Sequence, residues 1–374
     1  MEEKQYKVVI ESLGGAGAGL MRSLAAALQW PANRVARLMY LSPQTLEGGL
    51  DRARAEQLLA LVGQTGLQAS IQPQDAVVTE GVADYDIALV VKNFAHIGAI
   101  VQLIADVLGV NANKAREIIC SSPALLMGGV SQATVEALRP RFQALQVDLD
   151  VAVRSQSVYD LILAPCPALM RQRVLAIAER HLGEAGPKPD DLRLGGMLAG
   201  GLSFKQANTL WDELRGCGAS VQLVNRNFER FDIVMKEAVD SPELRAYLEH
   251  QAGVPARVLD KLFTRLPIVV QRQLNPEQAE LALAAFADLA ASAVAELTTF
   301  QAFDLSIDAV PERKDRVVQV LAALTDRNQE AAVSALRRVP VRLDGPFSSV
   351  HARWLQAELK NAGAASRLIQ RAGA

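Results

Sequence analysis

The stretch YDIALVVK, at residues 85–92, has relatives at four other places in the chain. Each relative begins with an aromatic residue and continues as a short, mostly apolar run of the kind that forms a β-strand. The aromatic residues lie 79, 74, 72 and 72 positions apart, at Tyr6, Tyr85, Tyr159, Phe231 and Phe303. Such regular spacing indicates that the chain consists of internal repeats.

A second set of positions recurs in step with the first. These apolar residues are 80, 72, 72 and 73 positions apart, at Leu50, Val130, Leu202, Leu274 and Phe347. The side chain that follows each of them can accept a hydrogen bond from the free N–H groups at the start of a helix. The five predicted N-cap residues are Asp51, Ser131, Ser203, Asn275 and Ser348.

Hydrophobic periodicity gives each repeat the same predicted order: strand, helix, helix, short strand, helix, strand. The predicted fold class is therefore α+β, a tandem array of five small domains that each combine a three-stranded sheet with three helices. The predicted domain boundaries are residues 1–80, 81–155, 156–228, 229–300 and 301–374.

The join between the first two repeats, QDAVVTEGVAD at residues 74–84, is longer than the later joins, such as NRNFER at residues 225–230. A long join allows independent motion, whereas a short one forces neighbours into contact. We therefore expect repeat 1 to be more mobile and repeats 2–5 to form a semi-rigid rod or arc. Limited proteolysis should cut first between Asp75 and Asp84.

Repeat 2 carries the most specific motifs, a Ser-x-Pro at residues 121–123 and a Gly-Val-Ser at residues 129–131. With YDIALVVK and the VDLDVAV run at residues 147–153, it resembles the C-terminal domain of the bacterial ribosomal stalk protein. Repeat 1 keeps Ser42, Pro43 and Gly49 of this pattern, and the other three repeats keep mainly the opening strand and the capped helix. The resemblance covers nearly the whole chain and implies an α+β fold shared in outline with the Clp protease adaptor.

The resemblance also implies a surface for protein partners. In the stalk family the first two helices recruit translational GTPases, with lysines at the start and middle of the first helix. The positions that match these lysines are Gly17, Arg22, His96, Val101 and Lys314. Two arginines flank Lys314, so the candidate partner contacts are Arg22, Arg313, Lys314 and Arg316.

The Clp adaptor captures substrate amines in an acidic pocket beside its first helix. The nearest match in this chain is Asp240 with Glu243. Ordinary helix capping also explains this pair, because Asp240 could cap a helix that has Pro242 and Glu243 in its first turn.

Composition excludes several classes of function. The chain has 39 basic and 41 acidic side chains and a net charge of -2, which argues against nucleic acid or an anionic membrane as a partner. Its charged first residues and the lack of a long uncharged apolar run predict a cytoplasmic protein without signal peptide or membrane span. Cys120, Cys166 and Cys217 form no CxxC pair, so neither a disulfide framework nor a thiolate metal site is expected.

The turn GGAGAG, at residues 14–19, follows a predicted strand and precedes a helix, as a dinucleotide-binding turn would. The other repeats do not reuse these glycines, and residues 31–42 hold none of the acidic side chains that would bind a ribose. No GxSxG, HExxH or P-loop lysine is present. The sequence therefore predicts a protein without enzymatic activity, cofactor or small-molecule substrate.

Three functions stay open from the sequence. The first is a non-enzymatic, multivalent scaffold that binds protein partners through several related surfaces. The second is an adaptor or regulator that recruits a GTPase or an AAA+ ATPase to a client. The third is nucleotide binding at the turn formed by Gly14, Gly15, Gly17 and Gly19.

Overall fold

A computed structural model describes residues 4–183, 196–325 and 327–371, except the side chain of Leu20. The chain divides into two compact units. The first consists of Met1–Arg154 with Ala302–Gly373, and the second of Ser155–Gln301. Repeats 1, 2 and 5 thus lie together in unit 1, and repeats 3 and 4 form unit 2.

In unit 1 every repeat has the predicted order of elements. Repeat 1 contains β1 Tyr6–Ser12, α1 Ala18–Leu28, α2 Ala32–Tyr40, β2 Gln44–Leu50, α3 Arg52–Gly63 and β3 Gln68–Pro73. Repeat 2 contains β4 Tyr85–Val91, α4 Ile97–Leu108, α5 Ala112–Cys120, β5 Leu125–Val130, α6 Gln132–Gln143 and β6 Val147–Val153. Repeat 5 contains β13 Ala302–Ala309, α12 Asp315–Leu324, α13 Gln329–Ala335, β14 Val341–Ser348, α14 Ser349–Asn361 and β15 Ala365–Gln370.

In unit 2 the predicted order is complete in repeat 4. Repeat 3 contains β7 Val158–Leu163, α7 Ala168–Leu182, β8 Gly196–Ser203, α8 Phe204–Gly216 and β9 Val221–Asn225. Repeat 4 contains β10 Phe231–Glu237, α9 Pro242–His250, α10 Ala256–Phe263, β11 Ile268–Leu274, α11 Pro276–Asp288 and β12 Ser292–Leu297. The second helix predicted for repeat 3 falls on residues 184–195, outside the described part of the chain.

The protein is a mixed α+β structure with five small antiparallel sheets. Each sheet has three strands from a single repeat, and the first strand of the repeat lies in the centre. The order is β2-β1-β3 in repeat 1, and the other four sheets repeat it. The opening aromatic residue of each repeat is therefore the first or second residue of the central strand of its sheet.

All five predicted N-caps are confirmed. The side chain of each cap residue accepts a hydrogen bond from the backbone N–H three residues later, as when Asp51 accepts from Arg54 N over 2.8 Å. Such a bond satisfies one of the N–H groups that have no partner within the helix. The caps therefore fix where the last helix of every repeat begins.

The two recurring sequence motifs touch each other. In repeat 2, Asp86 of the central strand accepts a hydrogen bond from Gly129 N over 3.1 Å, just before the capped helix. The guanidinium of Arg154, directly after the last strand, lies 2.5 Å from the same carboxylate. Repeat 3 has the same arrangement with Asp160, Gly201 and Arg226. We call this arrangement the carboxylate clamp.

Repeats 1 and 5 have modified forms of the carboxylate clamp. In repeat 5, Pro346 occupies the position before the capped helix and has no N–H, so Gly345 donates to Asp304 instead, over 2.6 Å. In repeat 1 the Asp is replaced by Lys7, and Gln74 accepts from Gly49 N over 2.8 Å. The hydrogen bond from this backbone N–H is therefore kept in repeat 1, although the accepting side chain follows the last strand instead of lying on the central strand.

Repeats 1 and 2 share one hydrophobic core. It runs from Val8 and Ile10 of β1 to Ile100 and Ile104 of α4 without a break. Backbone hydrogen bonds also cross this boundary, from Ser131 N to Tyr40 O and from Gly81 N to Pro43 O, each over 2.9 Å. The loose attachment that we expected of repeat 1 is wrong.

Repeat 5 packs against repeat 2. Its helix α14 contacts α5, and Trp354 of α14 belongs to the core that repeats 1 and 2 form. A straight rod of repeats 2–5 would keep repeats 2 and 5 apart, so the expected rod is wrong, whereas the arc expected as its alternative stays a prediction. Repeats 3 and 4 of unit 2, in contrast, have separate cores.

Candidate functional site

The structure separates the four predicted partner contacts. Arg313 and Arg316 are exposed near the start of α12. Lys314 between them is half-buried, and its ammonium donates to Leu336 O over 2.9 Å, at the end of α13. Arg22 lies on α1 in another repeat and lines a cavity of about 260 Å³ that includes Asp106 but not Arg316.

The first helix of repeat 2 is more buried than the equivalent helices of repeats 3 and 4. Five of its twelve residues are buried, whereas α7 and α9 each bury two. Helix α1 packs against one part of α4. Another part of α4 lines a cleft between repeat 2 and repeat 5. The resemblance to the stalk domain predicted that this helix is part of a surface for protein partners. In the structure the helix contacts other repeats of the same chain.

A cleft between repeats 2 and 5 could hold another molecule. One half, of about 570 Å³, has an apolar wall formed by Ile97, Val101, Val320, Leu324 and Trp354. The other half, of about 830 Å³, is more polar and includes Cys120, Phe347 and His351. The halves meet at Arg116, Ala323, Leu324 and Trp354, which line both of them.

Three charged side chains line the apolar half of the cleft. Arg116 of α5 and Arg316 of α12 line it together with Glu358 of α14. Arg116 donates to the neutral side chain of Asn113 over 3.2 Å. Within the described part of the chain, Arg316 has no carboxylate within ion-pair distance. Two guanidinium groups therefore face one carboxylate across the cleft.

Trp354 lies where the two halves of the cleft meet. It is 5% exposed, and its indole N–H has no hydrogen-bond acceptor among the described residues. Buried N–H groups are normally paired, because a buried donor without a partner costs about 1–3 kcal/mol. Trp354 is therefore a donor that a bound molecule could satisfy.

Cys120 in the polar half is a poor nucleophile. Burial raises the pKa of its thiol to about 12, and the nearby positive charge of Arg116 offsets only part of this effect. The thiolate is the reactive form of cysteine, and it is scarce near neutral pH when the pKa is this high. Cys166 and Cys217 are also free and half-buried.

The acidic pair considered for amine capture has local partners. Asp240 accepts from Arg245 over 2.6 Å, and Arg245 also pairs with Asp260 over 2.8 Å. Ser241, rather than Asp240, is the N-cap of α9, and Pro242 is the first helical residue. Asp240 therefore belongs to a surface ion-pair network that joins the start of α9 to α10, and Glu243 lies in the first turn of α9.

The glycine-rich turn is shaped by close packing. Gly14 has a φ of 54°, and a Cβ there would lie 2.4 Å from the carbonyl oxygen of Gly66. A Cβ on Gly17 would lie 2.8 Å from the carbonyl oxygen of Asp106, near the end of α4. These two glycines therefore let the turn approach β3 and let α1 approach repeat 2.

In residues 4–183, 196–325 and 327–371, no group of three or more His, Cys, Asp or Glu side chains could hold a metal ion. None of the helices in these ranges has the length and apolar character needed to cross a membrane.

No family model, curated protein or solved structure matches this chain.

Reasoning from the sequence missed Arg116, Trp354 and Glu358, although it singled out Arg316. The cleft joins α4 and α5 to α12 and α14, which begin only at Asp315 and Ser349, and no local pattern indicates such a contact. One signal was present. Helix α4 has a single charged residue, Asp106, in its twelve residues, and a helix that is apolar on most sides is typically covered on more than one side.

Proposed function

We propose that this protein is a non-enzymatic scaffold that binds protein partners through the helical faces of its repeats. The observation that carries the proposal is the burial of α4, whose five buried residues contrast with two in α7 and two in α9. In repeat 2 the first helix already serves as a docking surface for protein, since α1 packs against it. The equivalent helices of repeats 3 and 4 are the candidates for outside partners.

Apolar side chains are exposed on the first helix of repeat 3 and on the second helix of repeat 4. Leu169 in the first turn of α7 is 65% exposed, and Val258 on α10 is 39% exposed. Single exposed apolar residues are common on protein surfaces. Leu169 lies on the helix equivalent to α4, and Val258 lies on the helix that follows the equivalent helix α9, so we interpret both as contact residues.

Two related surfaces on one chain favour multivalent binding. When two linked sites engage the same target, the second contact forms at a high effective concentration, which raises avidity by about 10²–10⁴. Weak contacts on repeats 3 and 4 would therefore suffice for stable attachment to a target that offers two sites.

We also propose that each repeat has the fold of the stalk C-terminal domain. The order of elements in four repeats and the N-capped last helix in all five support this assignment. The lysines that mark the GTPase-recruiting surface of that family are replaced in repeats 1 and 2, and Lys314 is engaged with Leu336 O. The scaffold is thus proposed without commitment to a translational GTPase.

The scaffold can be tested by affinity capture with the full-length chain from a bacterial lysate, followed by mass spectrometry. Leu169→Glu and Val258→Glu, alone and combined, place a charge on each proposed contact surface. The control is Leu281→Glu on α11, where the leucine is 66% exposed on the last helix of repeat 4.

We expect the combined variant to lose proteins that the unmodified chain and Leu281→Glu retain. Each single variant should lose fewer of them, as multivalency requires. Equal capture by all variants would contradict the proposal. Recovery of a GTPase or an AAA+ ATPase that depends on Leu169 or Val258 would identify the scaffold as an adaptor.

A further inference from the structure

The cleft between repeats 2 and 5 combines an apolar wall with basic side chains. Its apolar half offers the side chains of Ile97, Val101 and Leu324, while two guanidinium groups lie at the same cavity. Sites for small molecules are typically about 300–1,000 Å³, mostly apolar, with a few placed polar groups. The volume of about 570 Å³ falls within this range.

The charges at this half select an anion. Arg116 and Arg316 contribute +2 and Glu358 contributes −1, so these three groups have a net charge of +1. A guanidinium presents a rigid fork of donors that matches the two oxygens of a carboxylate. A single carboxylate would balance this net charge, whereas a dianion would leave an excess of negative charge beside Glu358.

The apolar wall selects a ligand larger than a simple anion. Inorganic phosphate or acetate could pair with the arginines but would leave Ile97, Val101 and Leu324 without a partner. A neutral lipid would bury its apolar surface there but would place two cations against a molecule without charge. A carboxylate attached to an apolar body satisfies both parts of the cleft.

We propose that this cleft binds a small amphipathic carboxylate, with its carboxylate paired to Arg116 and Arg316 and its apolar body against Ile97, Val101 and Leu324. Trp354 lines this half where it meets the other half and supplies an N–H donor that has no acceptor among the described residues. This site is independent of the protein-binding surfaces proposed for repeats 3 and 4.

The fluorescence of Trp354 provides a direct readout. The chain has three tryptophans, and Trp30→Phe with Trp211→Phe leaves Trp354 as the only one in the full-length protein. Decanoate, titrated below its micelle concentration, is the probe. Decanol, which has the same chain length but no charge, is the matched ligand control. Calorimetric titration of the unmodified chain serves as the second measurement and covers the case in which the double variant fails to fold.

We expect a saturable change in Trp354 fluorescence with decanoate and at least tenfold weaker binding of decanol. Arg316→Gln should weaken decanoate binding by about tenfold, since a hydrogen bond to a charged group contributes about 1.5–3 kcal/mol. Arg313→Gln is the matched control, because Arg313 is exposed on the same segment and does not line the cleft.

Three results would overturn the proposal: no saturable binding in either measurement, equal affinity for decanoate and decanol, or equal loss of affinity in Arg313→Gln and Arg316→Gln. Leu169→Glu and Val258→Glu should leave decanoate binding unchanged. The proposal of a carboxylate site and the proposal of a scaffold can therefore be contradicted independently of each other.

Discussion

The carboxylate of Asp160 accepts a hydrogen bond from the backbone N–H of Gly201 over 2.9 Å, and this contact joins the two sequence motifs by which the repeats are recognised. Asp160 is 3% exposed, and Arg226 pairs with it from the end of the last strand over 2.8 Å. One buried side chain thus links the first strand, the approach to the capped helix and the end of the repeat. This linkage gives the Asp that follows the opening aromatic residue of repeat 3 a structural role.

Removal of this carboxylate should destabilise repeat 3. Asp160→Ala leaves the N–H of Gly201 without an acceptor, and such a loss costs about 1–3 kcal/mol. Hydrogen exchange should show faster exchange in β7 and β8. Asp212→Ala, on the exposed face of α8, is the control and should change the free energy of unfolding by less than about 0.5 kcal/mol. Equal effects of the two substitutions would contradict the structural role of Asp160.

The carboxylate clamp of repeat 5 should make its stability depend on pH. Hydrogen bonds from Arg342 and from Gly345 N hold the pKa of Asp304 below its ordinary value. The ionised carboxylate therefore stabilises the folded state at and above the ordinary aspartate pKa of about 4, and this contribution is lost as the pH falls through the lower pKa of the folded protein.

Urea unfolding at several pH values, followed by Trp354 fluorescence, measures this dependence. Asp304→Asn removes the titrating group, so we expect its stability to be lower than that of the unmodified chain near neutral pH. The two proteins should approach each other in stability below about pH 4. Parallel pH profiles would show that Asp304 does not contribute in this way.

The internal structure of the repeats could be predicted from the sequence because its signals are local. The N-cap residues stand directly before the helices that they cap, and strand and helix periodicities lie within single elements. Asp51 and Ser131 show this well, since each side chain bonds to an N–H three residues later. The contact between Asp86 and Gly129 was not predicted, because it joins residues 43 positions apart in the chain.

The packing between repeats could not be predicted, because it depends on surfaces rather than on local pattern. The length of the 74–84 join suggested an independent repeat 1, yet the core that joins Val8 to Ile104 overrides the freedom of a long join. The placement of Arg316 opposite α4 depends on the same packing. Arg116 and Trp354 became visible as site residues only in the folded structure.

The close packing of Gly17 against the backbone of Asp106 predicts that a larger side chain at this position lowers the stability of the protein. In Gly17→Val the new side chain would meet the backbone of Asp106, because a Cβ there lies 2.8 Å from its carbonyl oxygen. Overpacking of this kind costs about 1–3 kcal/mol, so we expect a lower melting temperature. Gly15→Ala is the control, since a Cβ at Gly15 has no atom within 4 Å. A similar loss in both variants would argue against a special role for Gly17.

The same turn should not bind nucleotides. Millimolar ATP or NAD should leave the melting temperature of the unmodified chain unchanged, whereas a ligand at about 100 times its dissociation constant would add about 2.7 kcal/mol. If either nucleotide does raise the melting temperature, Gly15→Val tests the turn without disturbing the packing of α1. A shift abolished by that substitution would establish a nucleotide site at residues 14–19.

Limited proteolysis should cut the 74–84 join without releasing repeat 1. Val77 in this join is 93% exposed and therefore accessible to a protease. Because repeats 1 and 2 share a core and several hydrogen bonds, the cleaved chain should elute from size exclusion at its original volume and separate only in denaturant. Earlier cleavage near Arg226 or Phe300, or release of a free repeat 1, would contradict this expectation.

Trp354 should control the attachment of repeat 5 to repeats 1 and 2. Truncation of a buried tryptophan costs about 3–5 kcal/mol, so Trp354→Ala should weaken this contact strongly. Repeat 5 should nevertheless keep its own fold, because Leu305, Leu321 and Leu355 form a separate core. Hydrogen exchange should therefore rise in α5 while β13 stays protected. Val333→Ala, at a valine that is 46% exposed on α13, is the control and should leave both elements unchanged. Unchanged exchange in α5 of Trp354→Ala would show that other contacts hold repeat 5 in place.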